Sequence, residues 1–259
     1  MAWYTEGQPD ILNFMVVGNH HSGHDLLQAS LAAHPTMMCH GDVLHEDEKV
    51  RKQEHEDYFG PSGRMPDWYL PRVISVEHYL NNKIFDNNLF REKAIGVKIS
   101  YHNLVESDLW EYADQQCRRG DFCILHVTRN PIACYVDYKS SQCQSVVKSV
   151  SVKIRNPGSI HVDHKELTDF VRDHLANELK VNRLCGDRAV IPYHELLLDF
   201  KKILQNTLRF LELPYSSACV PNMKHMDMRD IKGRISNLFQ LRAELPSDVL
   251  GLLNSSTLF

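Results

Sequence analysis

FMVVGNHHSGHDLL, residues 14–27, joins an apolar run to a loop bounded by Gly18 and Gly23 and then to the start of a helical pattern. A short apolar run rich in β-branched residues is typical of a buried strand in a parallel sheet. The two glycines allow a tight turn, after which the backbone N–H groups of the loop and of the first helical turn point toward one place. The segment therefore predicts a strand, a loop that binds an anion, and a helix.

The same alternation of strand and helix continues along the chain. Apolar runs predict four strands, at residues 11–17, 94–100, 122–128 and 188–193. Helical patterns predict helices at residues 25–33, 104–117, 132–148, 165–184 and 194–211. This alternation predicts an α/β fold, a three-layer sandwich with a central parallel sheet and helices on both faces.

Composition and charge exclude several classes of protein. The 259 residues include 29 Lys and Arg against 33 Asp and Glu, a formal net charge of -4 with neutral histidine. This balance argues against nucleic acid as a partner. Apolar runs stay far below the roughly 20 residues that a membrane span needs. The first residues include no basic region, so we expect no secretory signal. The seven cysteines form no CxxC pair, so we expect reduced thiols and a cytoplasmic location.

The chain is expected to form a single domain over residues 1–259, because no repeat or linker rich in Gly, Pro and Ser divides it. Two regions depart from the alternation of strand and helix. Residues 40–90 hold a charged stretch followed by prolines, and residues 145–163 hold a basic stretch. Ligands of α/β sheets bind outside the carboxyl ends of the strands, where insertions gather, so both regions are predicted to form walls of a substrate cleft.

Three interpretations of the loop compete with a simple anion site. A nucleotide triphosphatase would have Lys and then Ser or Thr where this chain has His24 and Asp25. A plain strand-to-helix turn would use the glycines for the backbone alone, with Asp25 capping the helix. A metal site would draw on His20, His21 and His24. Adjacent histidines on a turn diverge, however, and no other His or Cys pair has ligand spacing, so no metal is expected.

Together with the motifs that follow it, this loop resembles the 5′-phosphosulfate loop of sulfotransferases, which use 3′-phosphoadenosine 5′-phosphosulfate (PAPS). That family has Lys or Arg at the place of His21 and hydroxyl residues at the places of the next His and Asp. The segments LLQASLAAHP at 26–35 and GD at 41–42 are also similar to the family. The resemblance implies a P-loop nucleotide-binding type of fold and a PAPS site that includes Gly18, His20, His21, Ser22, Gly23, His24 and Asp25.

CILHVTRNP, residues 123–131, is similar to the family's 3′-phosphate motif, a strand that ends in Arg-x-Pro before a helix. Arg129 suits a terminal phosphate, because a planar guanidinium makes two charge-assisted bonds. The family has a serine eight residues further on, where this chain has Asp137, which would repel a phosphate. Either Ser140 or Lys139 then takes the place of the serine, or the 3′-phosphate is held more weakly.

DIKGRISN, residues 230–237, looks like the basic loop that closes over the 3′-phosphate and the adenine in relatives. The resemblance therefore adds Lys232, Gly233 and Arg234 to the expected cofactor-binding residues.

The resemblance implies transfer of a sulfuryl group from PAPS to a hydroxyl or amine of a small-molecule or saccharide acceptor, with no metal required. His21 is expected to act as an imidazolium on the leaving oxygen, because a neighbouring dianion raises the pKa of a histidine. The general base stays open between His102, which follows a strand carrying Lys98, and an acid after the first helix, Asp42 or Glu46.

Two other functions also stay open. The family's usual ligands are replaced at four places, His21, His24, Asp25 and Asp137. These replacements fit a catalytically impaired, sulfotransferase-like protein that binds a nucleotide or a partner. A nucleotide-dependent kinase with a degenerate loop is the other alternative. If the chain is a sulfotransferase, residues 40–90 and 145–163 are insertions on the acceptor side.

Overall fold

The structure is a computed structural model that describes residues 11–41, 43–44, 76–85, 92–106, 109–148, 159–220 and 231–255. Asp42 and Glu46, the two candidate acids, lie outside the described residues. So do most of the insertion at residues 40–90 and the middle of the insertion at residues 145–163. The roles expected of these acids and insertions therefore stay predictions.

The described strands form one sheet in the order β2-β3-β1-β4-β5, with every neighbouring pair parallel. They are β1 Leu12–Gly18, β2 Met37–His40, β3 Ala94–Ser100, β4 Phe122–Thr128 and β5 Arg188–Pro192. Four of them agree with the predicted strands to within a single residue at each end. The fifth, β2, was missed because its four residues are too few to show a periodic apolar pattern.

Helices connect the strands and complete the chain. The described helices are α1 His24–Ala32, α2 Val76–Tyr79, α3 Tyr101–Glu106, α4 Leu109–Arg119, α5 Pro131–Lys148, α6 His164–Arg183, α7 Tyr193–Leu198, α8 Phe200–Phe210, α9 Leu238–Glu244 and α10 Ser247–Asn254. A π-helical segment, Leu80–Ile84, follows α2, and 3₁₀ turns form at Ser217–Cys219 and Ile231–Arg234. No described helix combines the length and the apolar character that crossing a membrane requires.

Two helical predictions need correction. The pattern at residues 194–211 predicts one helix, but Asp199 separates α7 from α8. Its side chain accepts a hydrogen bond from the Lys202 N–H at 3.1 Å, which caps the start of α8. The pattern at residues 104–117 also predicts one helix, but the structure describes two. The first, α3, begins directly after β3 at Tyr101 and ends at Glu106, and the second, α4, begins at Leu109.

The central strand separates two apolar layers, because successive side chains of a strand point to opposite faces. Phe14 of β1 shares a buried cluster with Leu27 of α1 and Leu204 of α8. Met15, the next residue, shares a different cluster with Ala113 of α4. Helices therefore cover both faces of a parallel sheet, and the predicted three-layer α/β fold is confirmed.

The sheet also shows where a ligand would bind. β1 and β3 are neighbours, yet the helix that follows β1 packs on one face and α4, which follows β3, packs on the other. In open α/β sheets, such a reversal leaves a crevice at the carboxyl ends of the strands. The loop after β1 lies at this crevice.

A third apolar cluster attaches the last helices to α5 and α6. Ile160 and Ile235 form an isolated parallel bridge. Asn237 accepts from the N–H of Val162 at 3.0 Å and donates to its carbonyl at 2.8 Å. These contacts hold the 3₁₀ turn Ile231–Arg234 next to α5, although about ninety residues separate the two in the chain.

Candidate functional site

The loop after β1 has a backbone suited to binding an anion. Gly23 has a φ of 93° and His21 a φ of 62°, both in the left-handed region. The N–H of Ser22 donates to the Asn19 carbonyl at 3.0 Å, and the N–H of Leu27 donates to the Gly23 carbonyl at 3.2 Å as α1 begins. No described side chain caps this helix start. The first turn of α1 therefore offers N–H groups to an anion at the edge of the sheet.

The hydroxyl of Ser22 supports the same interpretation. Ser22 is 1% exposed, and its Oγ has no hydrogen-bond partner among the described residues. A buried hydroxyl without a partner costs free energy, because it has lost its bonds to water. An anion held by the loop would give this hydroxyl an acceptor.

Lys98 and Asp25 form an ion pair between β3 and the start of α1. The Lys98 side chain is 6% exposed, and its Nζ donates to Oδ1 of Asp25. The other carboxylate oxygen lies 3.7 Å from Nδ1 of His24. Desolvation raises the pKa of Asp25, but His24 and Lys98 outweigh it and hold that pKa below its usual value. Asp25 therefore does not cap α1, as one interpretation of the sequence expected, but neutralises a buried lysine beside the loop.

Arg129 extends from the end of β4 and stabilises the loop. Its side chain is 6% exposed, which excludes a surface ion pair as its role. Its Nη1 donates to the carbonyl of His21 at 2.6 Å, and its guanidinium lies 4.4 Å from the ring centroid of Tyr193. His21, one of the two left-handed residues of the loop, is thus fixed by a charged group from the end of the neighbouring strand.

His21 is neutral in this structure at neutral pH. Burial lowers its pKa below the usual 6.5, whereas Asp137 and Asp25 act to raise it and Arg129 to lower it. An imidazolium at this position, as the sequence analysis expected, therefore requires the added negative charge of a bound anion.

Arg129, Ser140 and Arg234 meet at one place, although they come from β4, α5 and the last 3₁₀ turn. Nη1 of Arg129 lies 2.6 Å from Oδ2 of Asp137, and Nη1 of Arg234 donates to Oδ1 of the same carboxylate at 2.5 Å. Nη2 of Arg234 also donates to the Ser140 hydroxyl at 2.9 Å. The residues predicted to hold a 3′-phosphate are therefore brought together around an aspartate.

The remaining residues predicted for the 3′ side lie around this cluster. Lys139 pairs with Glu166 of α6 at 2.5 Å. Lys232 is half-buried and Gly233 is exposed in the turn that carries Arg234.

A cavity of about 690 Å³ opens beside the loop and is lined by residues of α3, α5 and α6. His20 and His102 lie on its wall, with ring centroids 6.3 Å apart. Tyr138 and Phe170 form the apolar part of the wall, with their rings within 18° of parallel. A cavity of this size and mixed lining suits a small molecule. His102, one of the predicted bases, therefore faces the same space as the loop after β1.

A buried group of polar side chains lies behind this cavity, and no pattern in the sequence predicts it. The Tyr101 hydroxyl and Nε2 of His126 are 2.6 Å apart, and Nδ1 of His126 lies 3.2 Å from Oδ1 of Asn182. Burial lowers the pKa of His126 to about 4, so its ring is neutral and bonds on both sides. No spacing in the sequence indicates this contact, because the three residues come from different elements.

His174 makes a second contact that the sequence does not indicate. Its Nδ1 lies 2.6 Å from Nδ2 of Asn19, whose Oδ1 accepts from the N–H of His20 at 2.8 Å. Burial lowers the pKa of His174 to about 4, so neutral Nδ1 is an acceptor for the Asn19 amide. A buried residue of α6 thereby orients the first part of the loop.

In the part of the chain that the structure describes, no three His, Cys, Asp or Glu side chains are grouped so that they could hold a metal ion.

No protein-family model matches the chain, and no curated protein does. Among solved structures, the chain is similar to the sulfotransferase domain of the Synechococcus PCC 7002 olefin synthase, with 16% identity, a TM-score of 0.46, and coverage of 98% of this chain and 97% of that one. It is also similar to a sulfotransferase from Alicyclobacillus acidocaldarius, with 16% identity, a TM-score of 0.47, and coverage of 95% and 94%. A third similar structure is a sulfotransferase from Mycobacterium avium, with 13% identity, a TM-score of 0.43, and coverage of 91% and 75%.

Proposed function

We propose that this protein transfers a sulfuryl group from a nucleoside 5′-phosphosulfate, of which PAPS is the form that the motifs imply, to a hydroxyl or amine of a small-molecule or saccharide acceptor. One observation supports this most directly. The uncapped start of α1, with the buried hydroxyl of Ser22, lies beside a cavity that also exposes His102. A donor anion and an acceptor would therefore meet at the carboxyl end of β1.

The loop would hold the 5′ end of the donor. The N–H groups at the start of α1 and the hydroxyl of Ser22 donate to the anionic oxygens, which fixes the phosphosulfate for in-line attack. His21 takes up a proton when the anion binds and, as imidazolium, stabilises the oxygen that leaves sulfur. This assignment needs no metal ligand from the chain.

His102 is the group best placed to act as the base. It would accept the proton of the acceptor hydroxyl while the acceptor oxygen bonds to sulfur. At the same time the bond between sulfur and the bridging oxygen breaks, and the electron pair goes to the leaving nucleotide phosphate. Asp42 or Glu46 remains the alternative base from the sequence.

A second candidate function rests on the ion pairs in the site. Lys98 is paired with Asp25, and Arg129 is paired with Asp137. These pairs neutralise cations that a transferase would direct at its donor, and they favour a sulfotransferase-like protein that binds a nucleotide without transferring sulfate. A kinase is disfavoured because the Lys and the hydroxyl residue of a triphosphatase loop are both absent.

Thermal shift followed by sulfate labelling tests the proposal. Adenosine 5′-phosphate and adenosine 3′,5′-bisphosphate are expected to raise the melting temperature without metal, because each binds only the folded chain. Stabilisation by ATP only with magnesium would instead support a kinase. Radiolabelled sulfate donated by PAPS or by adenosine 5′-phosphosulfate should then appear on a member of a panel of phenols, alcohols, amines and saccharides. Nucleotide binding with no labelled product in any panel member would support the second candidate.

A further inference from the structure

Asp137 fills the place in which two arginines would otherwise receive an anion. Its two carboxylate oxygens contact Nη1 of Arg129 at 2.6 Å and Nη1 of Arg234 at 2.5 Å. The side chains of the two arginines are 6% and 11% exposed, and that of Asp137 is 24% exposed. The cluster therefore carries a net charge of +1 rather than +2, and its guanidinium groups already hold a carboxylate.

The other groups near this cluster are also engaged. The Ser140 hydroxyl donates to the Val136 carbonyl at 2.7 Å and accepts from Arg234, so its hydrogen is not directed at a ligand. Lys139 pairs with Glu166 on the neighbouring helix. Neither of the residues expected to replace the family's serine thus adds a donor for a phosphate.

We propose that Asp137 determines nucleotide specificity in this site, disfavouring a 3′-phosphate and favouring a nucleotide with a free ribose hydroxyl at this position. A carboxylate accepts a hydrogen bond from a ribose hydroxyl, whereas unpaired arginines suit a phosphate at the same place. A phosphate bound by Arg129 and Arg234 would instead contact the Asp137 carboxylate, and two anions at that distance repel each other.

This inference rests on the proposed function, because it requires that a nucleotide binds with its 5′ end at the loop after β1 and with its ribose 3′ position at Asp137. It names a donor class, a nucleoside 5′-phosphosulfate without a 3′-phosphate, that differs from the PAPS implied by the sequence motifs.

Calorimetric titration with two nucleotides tests the proposal. The probes are adenosine 5′-phosphate and adenosine 3′,5′-bisphosphate, which differ only in the 3′-phosphate. The proteins are wild type, Asp137→Asn, Asp137→Ser and, as the control, Glu166→Gln. The control also removes one negative charge from a carboxylate paired with a residue of α5, but it leaves both arginines paired.

Wild type is expected to bind the bisphosphate no more tightly than the monophosphate. Both Asp137 variants should raise the preference for the bisphosphate by about tenfold or more, because one like charge is removed from the contact. Glu166→Gln should keep the wild-type ratio. Monophosphate binding that is retained, though weakened because the ribose hydroxyl loses its carboxylate acceptor, shows that the variants are folded. The serine variant provides a smaller side chain in case the asparagine disturbs the arginines.

Two results would overturn the proposal. The first is that wild type binds the bisphosphate about tenfold more tightly than the monophosphate and that neither Asp137 variant gains further preference. Asp137 would then move aside and would not determine specificity. The second is that neither the wild-type protein nor any variant binds either nucleotide. The proposed function itself would then fail, and the specificity inference with it.

Discussion

The ring of Tyr193 occupies the space into which a side chain at Gly23 would extend. Tyr193 is the first residue of α7, and a Cβ at Gly23 would overlap its ring atoms. The same ring lies 4.4 Å from the guanidinium of Arg129. One aromatic side chain from the end of β5 therefore fixes both the anion-binding loop and the arginine that contacts it.

This contact predicts that Gly23→Ala lowers the free energy of unfolding more than replacement of another left-handed glycine by alanine does. Gly120, with φ of 77° and nothing within 4 Å of a would-be Cβ, provides the matched control. Gly120→Ala should lower the free energy of unfolding by about 1–2 kcal/mol from backbone strain alone. Gly23→Ala should lower it by a further 1–3 kcal/mol or so from overpacking against Tyr193. Urea unfolding measures both, and equal losses in the two variants would contradict the argument.

The pair of Lys98 and Asp25 predicts coupled effects on stability. In a double-mutant cycle of Lys98→Met and Asp25→Asn, the coupling free energy should be about 1–2 kcal/mol. A fully buried pair would couple more strongly, but the Asp25 side chain is 62% exposed, so solvent screens it. Chemical unfolding of the four proteins gives the value. The ion pair of Arg118 and Asp114 is the control, for which the coupling should be much weaker because solvent screens both groups.

Nucleotide affinity should depend on pH through His21. Its pKa lies below 6.5 in this structure because of burial, and a bound anion raises it, so binding takes up a proton. Affinity should therefore weaken by up to about tenfold per pH unit as pH rises between the pKa of His21 in the free protein and that in the complex. Titrations with adenosine 5′-phosphate from pH 5 to pH 9 measure this. His21→Lys should flatten the profile, whereas replacement of the exposed His161 by Gln should leave it unchanged, and a flat wild-type profile would remove His21 from the mechanism.

Three buried histidines predict a loss of stability in mild acid. Burial lowers the pKa of His40, His126 and His174 to about 4 from 6.5. Between these values the unfolded chain binds more protons than the folded chain, so stability is present above pH 6.5 and falls as pH decreases toward 4. Each histidine contributes up to about 1.4 kcal/mol per pH unit to the slope. Unfolding measured at several pH values should show a shallower slope for His126→Gln and an unchanged slope for His161→Gln.

The choice between bases can be made by alanine substitution once an acceptor has been found by sulfate labelling. If His102 accepts the acceptor proton, His102→Ala should lower kcat by about 10²-fold or more while nucleotide affinity stays the same. His161→Ala serves as the surface control. If His102→Ala kept full activity and Asp42→Ala or Glu46→Ala lost about 10²-fold or more in kcat, the acid would be the base instead.

Strands and helices that depend on patterns of neighbouring residues could be predicted from the sequence. The apolar run before Gly18 predicted β1, because a buried strand needs such a run and a tight turn needs glycine next to it. The alternation of strand and helix predicted the parallel sheet for the same kind of reason. The break at Asp199 and the short strand β2 were not predicted, because each depends on a few residues whose periodic signal is too weak.

Which charges meet depends on how distant segments of the chain pack against each other. In the sequence, Asp137 occupies the place of a phosphate-binding serine, which an aspartate does not suit. The structure places it between Arg129 and Arg234, which are far apart in the chain and belong to no common sequence pattern. The pair of Lys98 with Asp25 and the contact of His174 with Asn19 likewise join distant segments. The sequence therefore predicts an anion-binding loop after the first strand. The packing of β3, β4 and the last 3₁₀ turn around that loop determined how much positive charge is left for a ligand, because Coulomb interactions depend on distance in space and not along the chain.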